Sequence, residues 1–354
     1  MKKLIVILMF ILFINIISLR AFHLSAESVV LMDMDSNVVL YEQNSHNRMK
    51  TASIAKIMTA ILAIENGFLD EYVVVSKDSV YQIGSKIYIQ ENDSLMLIDL
   101  IYGLMLRSGN DAAYLIAEHV FGVDQFVIQM NELAKKIGMT NTTFENPSGL
   151  DEDSVNLSTA HDMALLMSYA MKNDVFKEIT GSTYHKCQSS NGVQYVWRNK
   201  HRLVQRGGQF TGGKTGYTKS AGRTLVSTAS KDDLNLVVVT FRSSSDWNDH
   251  QLLFSYGFEN YKKYLVMESQ TVKSKNVLYD YIPFINQDIT VPIRKDNNQN
   301  ISVRIFLKKS SKDNIAGKVI VYLDGEEIFT RNVYKMSVEE DKRTFLEIFK
   351  NTSV

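Results

Sequence analysis

The sequence predicts an α+β protein in which a large first domain, residues 27–265, is followed by a small all-β domain. In the first domain, β-rich runs lie near the N-terminus and again from Gln194 onward, with helical patterns between them. This order is typical of one antiparallel sheet that brings the two ends of the domain side by side and is covered by helices. After about Leu265 the sequence changes to short β-rich runs separated by polar turns, which predicts the second domain.

The first half of the large domain is predicted as a hairpin followed by five helices. Val29–Met32 and Val38–Tyr41 form the hairpin around a polar turn. Ala52–Glu65 is apolar on nearly every side, which indicates a buried helix, and Gly67 is its expected end. Four more helices are expected, one capped by Asp93 or Ser94 and running to Leu106, and then Asp111–Val120, Gln125–Ile137 and His161–Met171.

The rest of the chain is predicted as strands around one further helix. Arg223–Ala229 and Leu234–Phe241 are strands joined by a polar turn, and Asp249–Tyr264 is the helix that closes the first domain. The second domain, residues 270–337, contains five β-rich runs: Val272–Ser274, Ile289–Val291, Ile301–Leu307, Val319–Leu323 and Glu327–Val333.

Composition places the chain among ordinary globular proteins. Its 354 residues suffice for two domains and a large core. The 39 Lys and Arg residues balance the 39 Asp and Glu residues, so no overall charge argues for binding to nucleic acid or to a membrane. Cys187 is the single cysteine, which excludes an intrachain disulfide.

Residues 1–26 have the layout of a secretory signal peptide. Lys2 and Lys3 precede the apolar run Leu4–Leu19, and cleavage is expected near Ala26. Because the run is long for a signal peptide, an uncleaved membrane anchor remains open. Either segment predicts a protein outside the cytoplasm: secreted, in the cell wall or on the outer face of the cytoplasmic membrane.

Residues 338–354 form a short tail. Phe345, Leu346, Ile348 and Phe349 make a small apolar cluster that would suit peripheral contact with a membrane. A packed or frayed terminal helix is the alternative that the sequence favours.

The string Ser53-Ile54-Ala55-Lys56 opens the buried helix. Residues three apart share a helix face, so Ser53 and Lys56 are expected to project together. A serine hydroxyl needs a neighbour to take its proton, and a lysine amine with little water around it can do so. Alone, the pattern also fits a helix that carries both residues by chance.

The string Ser108-Gly109-Asn110 lies between two predicted helices. Its functional interpretation makes Ser108 a proton relay to the leaving amine, with Asn110 hydrogen-bonding the substrate and Lys56. The structural alternative is a turn in which Asn110 or Asp111 caps the next helix.

The string Lys214-Thr215-Gly216 follows two further glycines and precedes a strand. Glycines weaken a strand unless another backbone must come close, and a peptide substrate could lie alongside it. Lys214 and Thr215 would then bind the terminal carboxylate of that peptide. The backbone N–H groups of Ser53 and Tyr217 could form an oxyanion hole. A plain Gly-rich loop is the alternative.

Together, the three strings appear in the order and spacing of a signature set shared by penicillin-binding proteins and serine β-lactamases. The chain closely resembles the D-alanyl-D-alanine carboxypeptidases, which are low-molecular-mass penicillin-binding proteins of serine peptidase type. The resemblance rests on five stretches of the sequence: Ser53–Ala60, Leu106–Ala113, Asn146–Asp151, Leu157–Ala164 and Gly213–Thr218.

The resemblance implies a transpeptidase/β-lactamase-like first domain and an accessory β domain. It also implies that the protein removes the terminal D-alanine of peptidoglycan pentapeptides through an acyl-enzyme on Ser53 and is trapped by penicillins. Its partners would be stem peptides ending in D-Ala-D-Ala and β-lactams, with no cofactor. One position departs from the family pattern, because Thr51 stands where proline is usual. The family also has a basic residue upstream of the third string, and Lys200 is interpreted as its match.

Two other functions remain open. A class A β-lactamase needs a glutamate and a water to clear the acyl-enzyme quickly. No E-x-x-L-N segment lies between the second and third strings, although Glu145 does. A sensor that is acylated without turnover carries the same strings, so only turnover separates it from the enzyme.

Two further groups of residues are assigned no catalytic role. His185 and Cys187 lack the paired motifs of metal sites, so no metal is expected, and His161 is interpreted as packing at a helix start. The basic cluster Arg198, Lys200, His201, Arg202 and Arg206 is predicted as a solvated loop, with contact to an anionic wall polymer as the alternative.

Overall fold

The computed structural model describes residues 23–152, 155–272, 281–296, 299–310 and 313–336. The elements of the first half are β1 (Ser28–Asp33), β2 (Val39–Gln43), β3 (Met49–Lys50), a 3-10 turn (Ala52–Ala55), α1 (Lys56–Asn66), β4 (Tyr72–Val74), α2 (Lys77–Val80), β5 (Ser94–Met96), α3 (Leu97–Arg107), α4 (Asn110–Val120), α5 (Val123–Lys136), β6 (Leu157–Ser158), α6 (Ala160–Ala170) and α7 (Asp174–Gly181).

The second half contains most of the strands. Its elements are β7 (Tyr184–Gln188), β8 (Gln194–Arg198), α8 (Arg202–Arg206), β9 (Phe210–Thr218), β10 (Gly222–Lys231), β11 (Leu234–Phe241), α9 (Asp246–Asn260), β12 (Tyr261–Met267), β13 (Gln270–Thr271), β14 (Ile282–Ile285), β15 (Ile289–Arg294), β16 (Ile301–Leu307), β17 (Ile315–Leu323) and β18 (Glu326–Met336).

A five-stranded antiparallel sheet in the order β2-β1-β11-β10-β9 organises the first domain. The register sets Ser28 opposite Phe241, so the two ends of the domain are joined by one ladder, as the sequence predicted. Side chains alternate between the two faces of these strands. Val30 packs into the large helical core, whereas Leu31 packs on the other face with Phe254 of α9. β9 lies at the edge of this sheet.

Helix α1 crosses the middle of the helical core. Its residues from Lys56 to Ile64 are all buried, which explains why the sequence is apolar around the whole helix. The helix packs against α3, α4, α5, α6 and α7. The first residue of this helix is thereby held in a fixed place at the border between the helices and the sheet.

The C-terminal domain is all-β, as predicted. Its larger sheet has the order β13-β14-β18-β17-β16, and β12 pairs separately with β15. Ile285, Val291, Val319 and Val333 are among the apolar side chains that fill its own small core.

Two helix boundaries differ from the predictions. Ser94–Met96 pairs with β4 as a strand, and α3 begins only at Leu97. The Asp93 carboxylate accepts hydrogen bonds from Ser94, Ser190 and Asn191, so it holds a turn instead of capping a helix. The closing helix spans Asp246–Asn260, and the segment to Met267 is β12, because its backbone finds partners along β15.

Several short strands were not predicted. The β4–β5 and β7–β8 hairpins are absent from the sequence-based assignment. The predicted basic loop contains the short helix α8, and His201 at its N-cap is buried, which contradicts a fully solvated loop.

The folded domain begins before the expected cleavage site. Leu24 and Ala26 are buried against the sheet and α9. Ser25 Oγ donates a hydrogen bond to Asp249 Oδ2 at 2.7 Å, and the Asp249 carboxylate is buried. A cut after Ala26 would therefore leave Asp249 without the partner that Ser25 provides.

Three of the sequence predictions fall mainly outside the described residues. Of the predicted signal peptide, residues 1–22 are not described, and of the predicted run Val272–Ser274, residues 273–274 are not described. The tail at 338–354 is not described at all. In the part of the chain that is described, no helix is long and apolar enough to cross a bilayer.

Candidate active site

Ser53 sits in the 3-10 turn that leads into α1. Lys56 is the first residue of α1, and its Nζ lies 3.1 Å from Ser53 Oγ. The sequence predicted one continuous helix, but the turn is tighter and starts from Ala52, whose φ is +47°. A non-glycine residue in this left-handed region is strained, and such strain is concentrated at functional sites.

The amine of Lys56 is buried and surrounded by oxygen atoms. Besides Ser53 Oγ, it contacts Asn110 Oδ1 at 2.7 Å and the backbone carbonyl of Ser148. Burial lowers the pKa of Lys56 to about 7, although Asp111 acts against the shift. A substantial neutral fraction of the amine is therefore available near neutral pH.

The second string occupies the junction of α3 and α4. Ser108 ends α3 in the left-handed conformation, with φ +66°, and Asn110 begins α4. The Asn110 amide also donates to Ile83 O at 2.6 Å, which fixes the direction of its carbonyl. Asp111 accepts hydrogen bonds from the backbone of Ile87 and Tyr88. This junction therefore holds the segment that carries Gly84 and Ser85 along the cleft.

The third string lies on the edge strand β9. Lys214 is buried, and its Nζ donates to Ser108 Oγ at 3.0 Å and to Thr215 O at 2.7 Å. Burial, with the nearby Lys56 and Lys200 charges, holds the pKa of Lys214 well below its usual value. The structure thus brings together all three strings, from the start of α1, the α3–α4 junction and the edge of the sheet.

Two glycines allow these segments to approach. A Cβ on Gly216 would lie 2.3 Å from Thr224 Oγ1 and 3.0 Å from Ser53 N. Gly149 has φ +79°, and a Cβ there would lie 1.9 Å from Ala52 O. Any larger residue at either place would separate the strand or the loop from the Ser53 turn.

The cleft runs to both sides of Ser53. On one side, a cavity of about 470 Å³ is lined by Ser53, Ser85, Ser108, Lys200, Thr215, Gly216, Tyr217, Arg223, Asp246 and Trp247. On the other side, a cavity of about 310 Å³ is lined by Ser53, Gly84, Ser85, Asn110, Gly149, Leu150, Tyr217 and Thr218. Tyr217 faces both cavities with an exposed ring.

Two cations line the larger cavity. The sequence analysis had already noted Lys200, which is partly desolvated in this cavity. Desolvation lowers the pKa of its amine, and the positive charge of Arg107 lowers it further. Arg223 stands opposite Tyr217 in the β9–β10 register, and its Nη1 lies 3.3 Å from Asp246 Oδ1.

Sequence reasoning missed several residues of the cleft. Arg223, Asp246 and Trp247 carry no motif, and only the folding of α9 onto β10 brings them to the cleft. The carbonyl of Ser148 was missed as a partner of Lys56, although its stretch Asn146–Asp151 had been noted for the family resemblance. The stretch Asn146–Asp151 was the one feature of the sequence that could have pointed to this carbonyl.

A chain of hydrogen bonds between buried side chains lies behind β9 and supports it. His201 Nδ1 accepts from Val204 N, so its Nε2 carries the proton and faces Ser227 Oγ at 3.0 Å. Ser227 Oγ also contacts His250 Nδ1 at 2.8 Å, and His250 Nε2 contacts Thr240 Oγ1 at 3.0 Å. Each of these bonds is satisfied when both imidazoles are neutral.

Burial keeps both imidazoles neutral. It lowers the pKa of His201 to about 4 and holds the pKa of His250 well below its usual value. The ring of His201 packs against Gly213, immediately before Lys214. Protonation of His201 or His250 would break this chain of hydrogen bonds and disturb β9, the strand that carries Lys214-Thr215-Gly216.

The fold and these side chains together define a class of protein. An antiparallel sheet covered by helices, with the Ser-Lys pair at the start of the buried helix and Lys-Thr-Gly on the edge strand, is the arrangement of penicillin-binding serine enzymes. Residues 16–245 match the D-alanyl-D-alanine carboxypeptidase family. The chain belongs to this family and is a serine-type D-Ala-D-Ala carboxypeptidase, which confirms the prediction from sequence.

Individual relatives agree with this assignment. D-alanyl-D-alanine carboxypeptidase DacF of Bacillus subtilis is 30% identical over 351 residues, covering 92% of this chain and 89% of that protein. The crystal structure of penicillin-binding protein 5 of Haemophilus influenzae matches with a TM-score of 0.74 at 25% identity, covering 89% of this chain and 97% of that one. A D-alanyl-D-alanine carboxypeptidase of Mycobacterium tuberculosis matches with a TM-score of 0.64 at 32% identity, covering 66% of this chain and 91% of that one.

The buried histidine chain predicts a loss of stability in acid. An unfolded histidine takes up a proton near pH 6.5, whereas His201 in the fold resists protonation until about pH 4. Over this interval His201 should lower the free energy of unfolding by about 3 kcal/mol as the pH falls. Urea unfolding of the wild type and of His201→Gln from about pH 7 to about pH 4.5 measures the difference in slope.

His46, an exposed histidine of the folded domain, provides the matched control. The stability of His46→Gln should fall with acidification as steeply as that of the wild type, whereas His201→Gln should be less stable at neutral pH but lose less on acidification. Equal slopes for all three proteins would show that His201 does not contribute to acid sensitivity.

Proposed function

We propose that the chain removes the terminal D-alanine from peptidoglycan pentapeptides through an acyl-enzyme on Ser53. The observation that carries the proposal is the Ser53–Lys56 pair, at 3.1 Å, with the buried amine also held by Asn110. The pair opens into a two-sided cleft beside β9, the edge strand of the sheet. This geometry suits a peptide that lies across the nucleophile.

Acylation begins with proton transfer from Ser53. The neutral amine of Lys56 takes the hydroxyl proton while Oγ attacks the carbonyl carbon of the penultimate D-alanine. The amide C–N bond then breaks, and Ser108 relays the proton that Lys56 took up to the amine of the departing D-alanine, so that Lys56 is neutral again and Ser108 keeps its hydroxyl. Ser108 is suited to this role because its Oγ accepts from Lys214 Nζ, which leaves its own O–H free to donate. Water hydrolyses the ester in the second half of the cycle.

The backbone of the cleft would stabilise the developing oxyanion. The N–H groups of Ser53 and Tyr217 are the candidates, since Gly216 brings β9 close to Ser53 N. A substrate lying antiparallel to the free edge of β9 would gain main-chain hydrogen bonds. In this orientation the scissile carbonyl of the substrate points toward the N–H groups of Ser53 and Tyr217.

We assign the substrate carboxylate to the larger cavity. Lys214 is buried and its amine already donates to Ser108 and Thr215 O, so it holds these two groups in place, while the Thr215 hydroxyl is placed to donate directly to the carboxylate. The cations that line the cavity are Lys200 and Arg223. Arg223 is the better partner, because a guanidinium binds a carboxylate through two parallel N–H bonds and Asp246 fixes its position.

A β-lactamase is less well supported by the cleft. Among the described residues that line it there is no glutamate. Glu145 is exposed, and its Oε2 accepts from Val155 N. A sensor without turnover has the same geometry, and the release of D-alanine separates the two.

The proposed partners follow from this chemistry. They are stem peptides ending in D-Ala-D-Ala and β-lactams, and we place the reaction outside the cytoplasm, where peptidoglycan lies. Peripheral membrane contact by the tail stays a prediction from sequence.

The first test replaces the nucleophile. The full chain should release D-alanine from a peptide ending in D-Ala-D-Ala and bind labelled penicillin covalently, and Ser53→Ala should lose both activities. Ser302→Ala, an exposed serine of the β domain, is the matched control. Undiminished labelling of Ser53→Ala would place the nucleophile elsewhere. Labelling without release of D-alanine would favour the sensor, and rapid penicillin hydrolysis the β-lactamase.

The second test measures how the rate of penicillin acylation depends on pH, with Lys56 as the proposed base. Because Lys56 must be neutral to accept a proton, the rate of penicillin acylation should rise with pH through about 7 and then level off. Lys56→Ala should acylate at least about 10²-fold more slowly and lose this rise. Lys172→Ala, an exposed lysine away from the cleft, should keep the wild-type profile. Near-normal acylation of Lys56→Ala would reject the role.

The third test addresses carboxylate binding. Arg223→Gln should raise KM for the D-Ala-D-Ala peptide about tenfold with little change in kcat, since a charged hydrogen bond contributes about 1.5–3 kcal/mol. Amidation of the peptide C-terminus should cost more affinity in the wild type than in Arg223→Gln, which keeps only the Thr215 and Lys200 contributions. The control is Arg304→Gln in the β domain, and thermal unfolding checks the fold. An unchanged KM would assign the carboxylate to Lys200 or Thr215 alone.

A further inference from the structure

Outside the cleft, three side chains of different chemistry meet between α3 and the β7–β8 hairpin. They are the carboxylate of Asp99, the imidazole of His185 and the thiol of Cys187, and their donor atoms all lie within 4.8 Å of one another. Asp99 and His185 are in direct contact, with Asp99 Oδ1 at 2.6 Å from His185 Nε2. None of the three belongs to the proposed catalytic machinery.

The fold explains why the three groups converge. His185 and Cys187 are two apart on β7, so they project from the same face of that strand. This face meets the first turn of α3, where Asp99 stands. Asp99 and His185 are 86 positions apart in the chain, so the sequence showed only the His-x-Cys pair and not the third donor.

The imidazole is held in one orientation. The ring of Tyr102 stacks on His185 with a centroid distance of 3.7 Å and an interplanar angle of 1°. Tyr102 is itself fixed, since its hydroxyl donates to Glu178 Oε1 at 3.2 Å. A ligand whose direction is set by its neighbours loses little conformational entropy on binding a metal.

We propose that Asp99, His185 and Cys187 bind a transition-metal dication, with zinc as the ion that suits the donor set best. One carboxylate, one thiolate and one neutral imidazole neutralise a dication, and these are the donors that zinc prefers, whereas magnesium and calcium prefer oxygen alone. On binding, the metal displaces the proton of the Cys187 thiol to solvent and binds Nε2 of the neutral imidazole of His185, whose one proton is then on Nδ1, and water completes a tetrahedral shell. The side chains of Asp99 and His185 are 13% and 21% exposed, so an ion can reach them.

The position of the site indicates what the ion would do. Helix α3 begins beside Asp99 and ends at Ser108, while the β7–β8 hairpin leads to Lys200, whose N–H donates to Leu106 O at 3.0 Å. A metal bridging these two elements would clamp together two segments that reach the cleft. Its role would be structural, and it would stabilise the native fold.

Cobalt is the probe that tests the proposal. The full chain, stripped of metal by a chelator, should bind one equivalent of Co²⁺ and develop a thiolate-to-cobalt charge-transfer band together with the visible bands of a tetrahedral ion. Zinc should displace the cobalt and raise the unfolding temperature of the wild type. Cys187→Ser should lose the charge-transfer band and the zinc-dependent stabilisation, and His185→Gln should weaken cobalt binding by more than about tenfold.

The controls separate a built site from chance binding. His119→Gln removes a surface histidine that pairs with Glu71 and should leave cobalt binding unchanged. Penicillin labelling of Cys187→Ser at Ser53 shows that this variant is folded. Absence of the charge-transfer band at saturating cobalt, or its survival in folded Cys187→Ser, would overturn the proposal and leave the Asp99–His185 contact as a hydrogen bond alone.

Discussion

The structure depends above all on the buried amine of Lys56. A lysine without water is costly in its charged form unless oxygen atoms surround it. Here the oxygens come from three segments far apart in the chain: Ser53 Oγ, Asn110 Oδ1 and the carbonyl of Ser148. The start of α1, the α3–α4 junction and the loop that follows α5 must therefore meet at one point. The same burial that makes this meeting necessary also lowers the pKa of the amine to about 7. One interaction thus links the packing of the domain to its proposed chemistry.

Close approach of backbones is the second constraint, and it follows from the first. The edge strand can reach Ser53 only because Gly216 has no side chain, and the loop that supplies the Ser148 carbonyl can pass Ala52 only because Gly149 has none. The cost is strain in the turn, where Ala52 has φ +47°. Behind the strand, neutral His201 and His250 support the backbone without adding charge beside Lys214. The cleft is therefore held rigidly from both sides, as pre-organised stabilisation of an oxyanion requires.

The sequence by itself determined the fold class and most of the proposed machinery. The apolar pattern around α1 reflects full burial, and the near-continuous apolar runs of β1 and β11 reflect a sheet with two covered faces. Both are local patterns that can be seen in the sequence. The three strings of the proposed machinery could be found for a similar reason, since each is short and contiguous. Element ends were less predictable: Ser94–Met96 and Tyr261–Met267 became strands because distant segments offered them backbone partners.

Which distant groups face one another became known only from the folded arrangement of the chain. Arg223 and Asp246 at the cleft, the Ser148 carbonyl beside Lys56, and Asp99 beside His185 and Cys187 lie on different elements, and no spacing along the chain marks them. The folded arrangement also decided that Leu24 and Ala26 belong to the folded domain and that His201 is buried within an apparently basic loop. The physical reason is the same in each case. Local patterns follow from the geometry of a helix or a strand, whereas contacts, burial and shifted pKa values depend on what the rest of the chain places nearby.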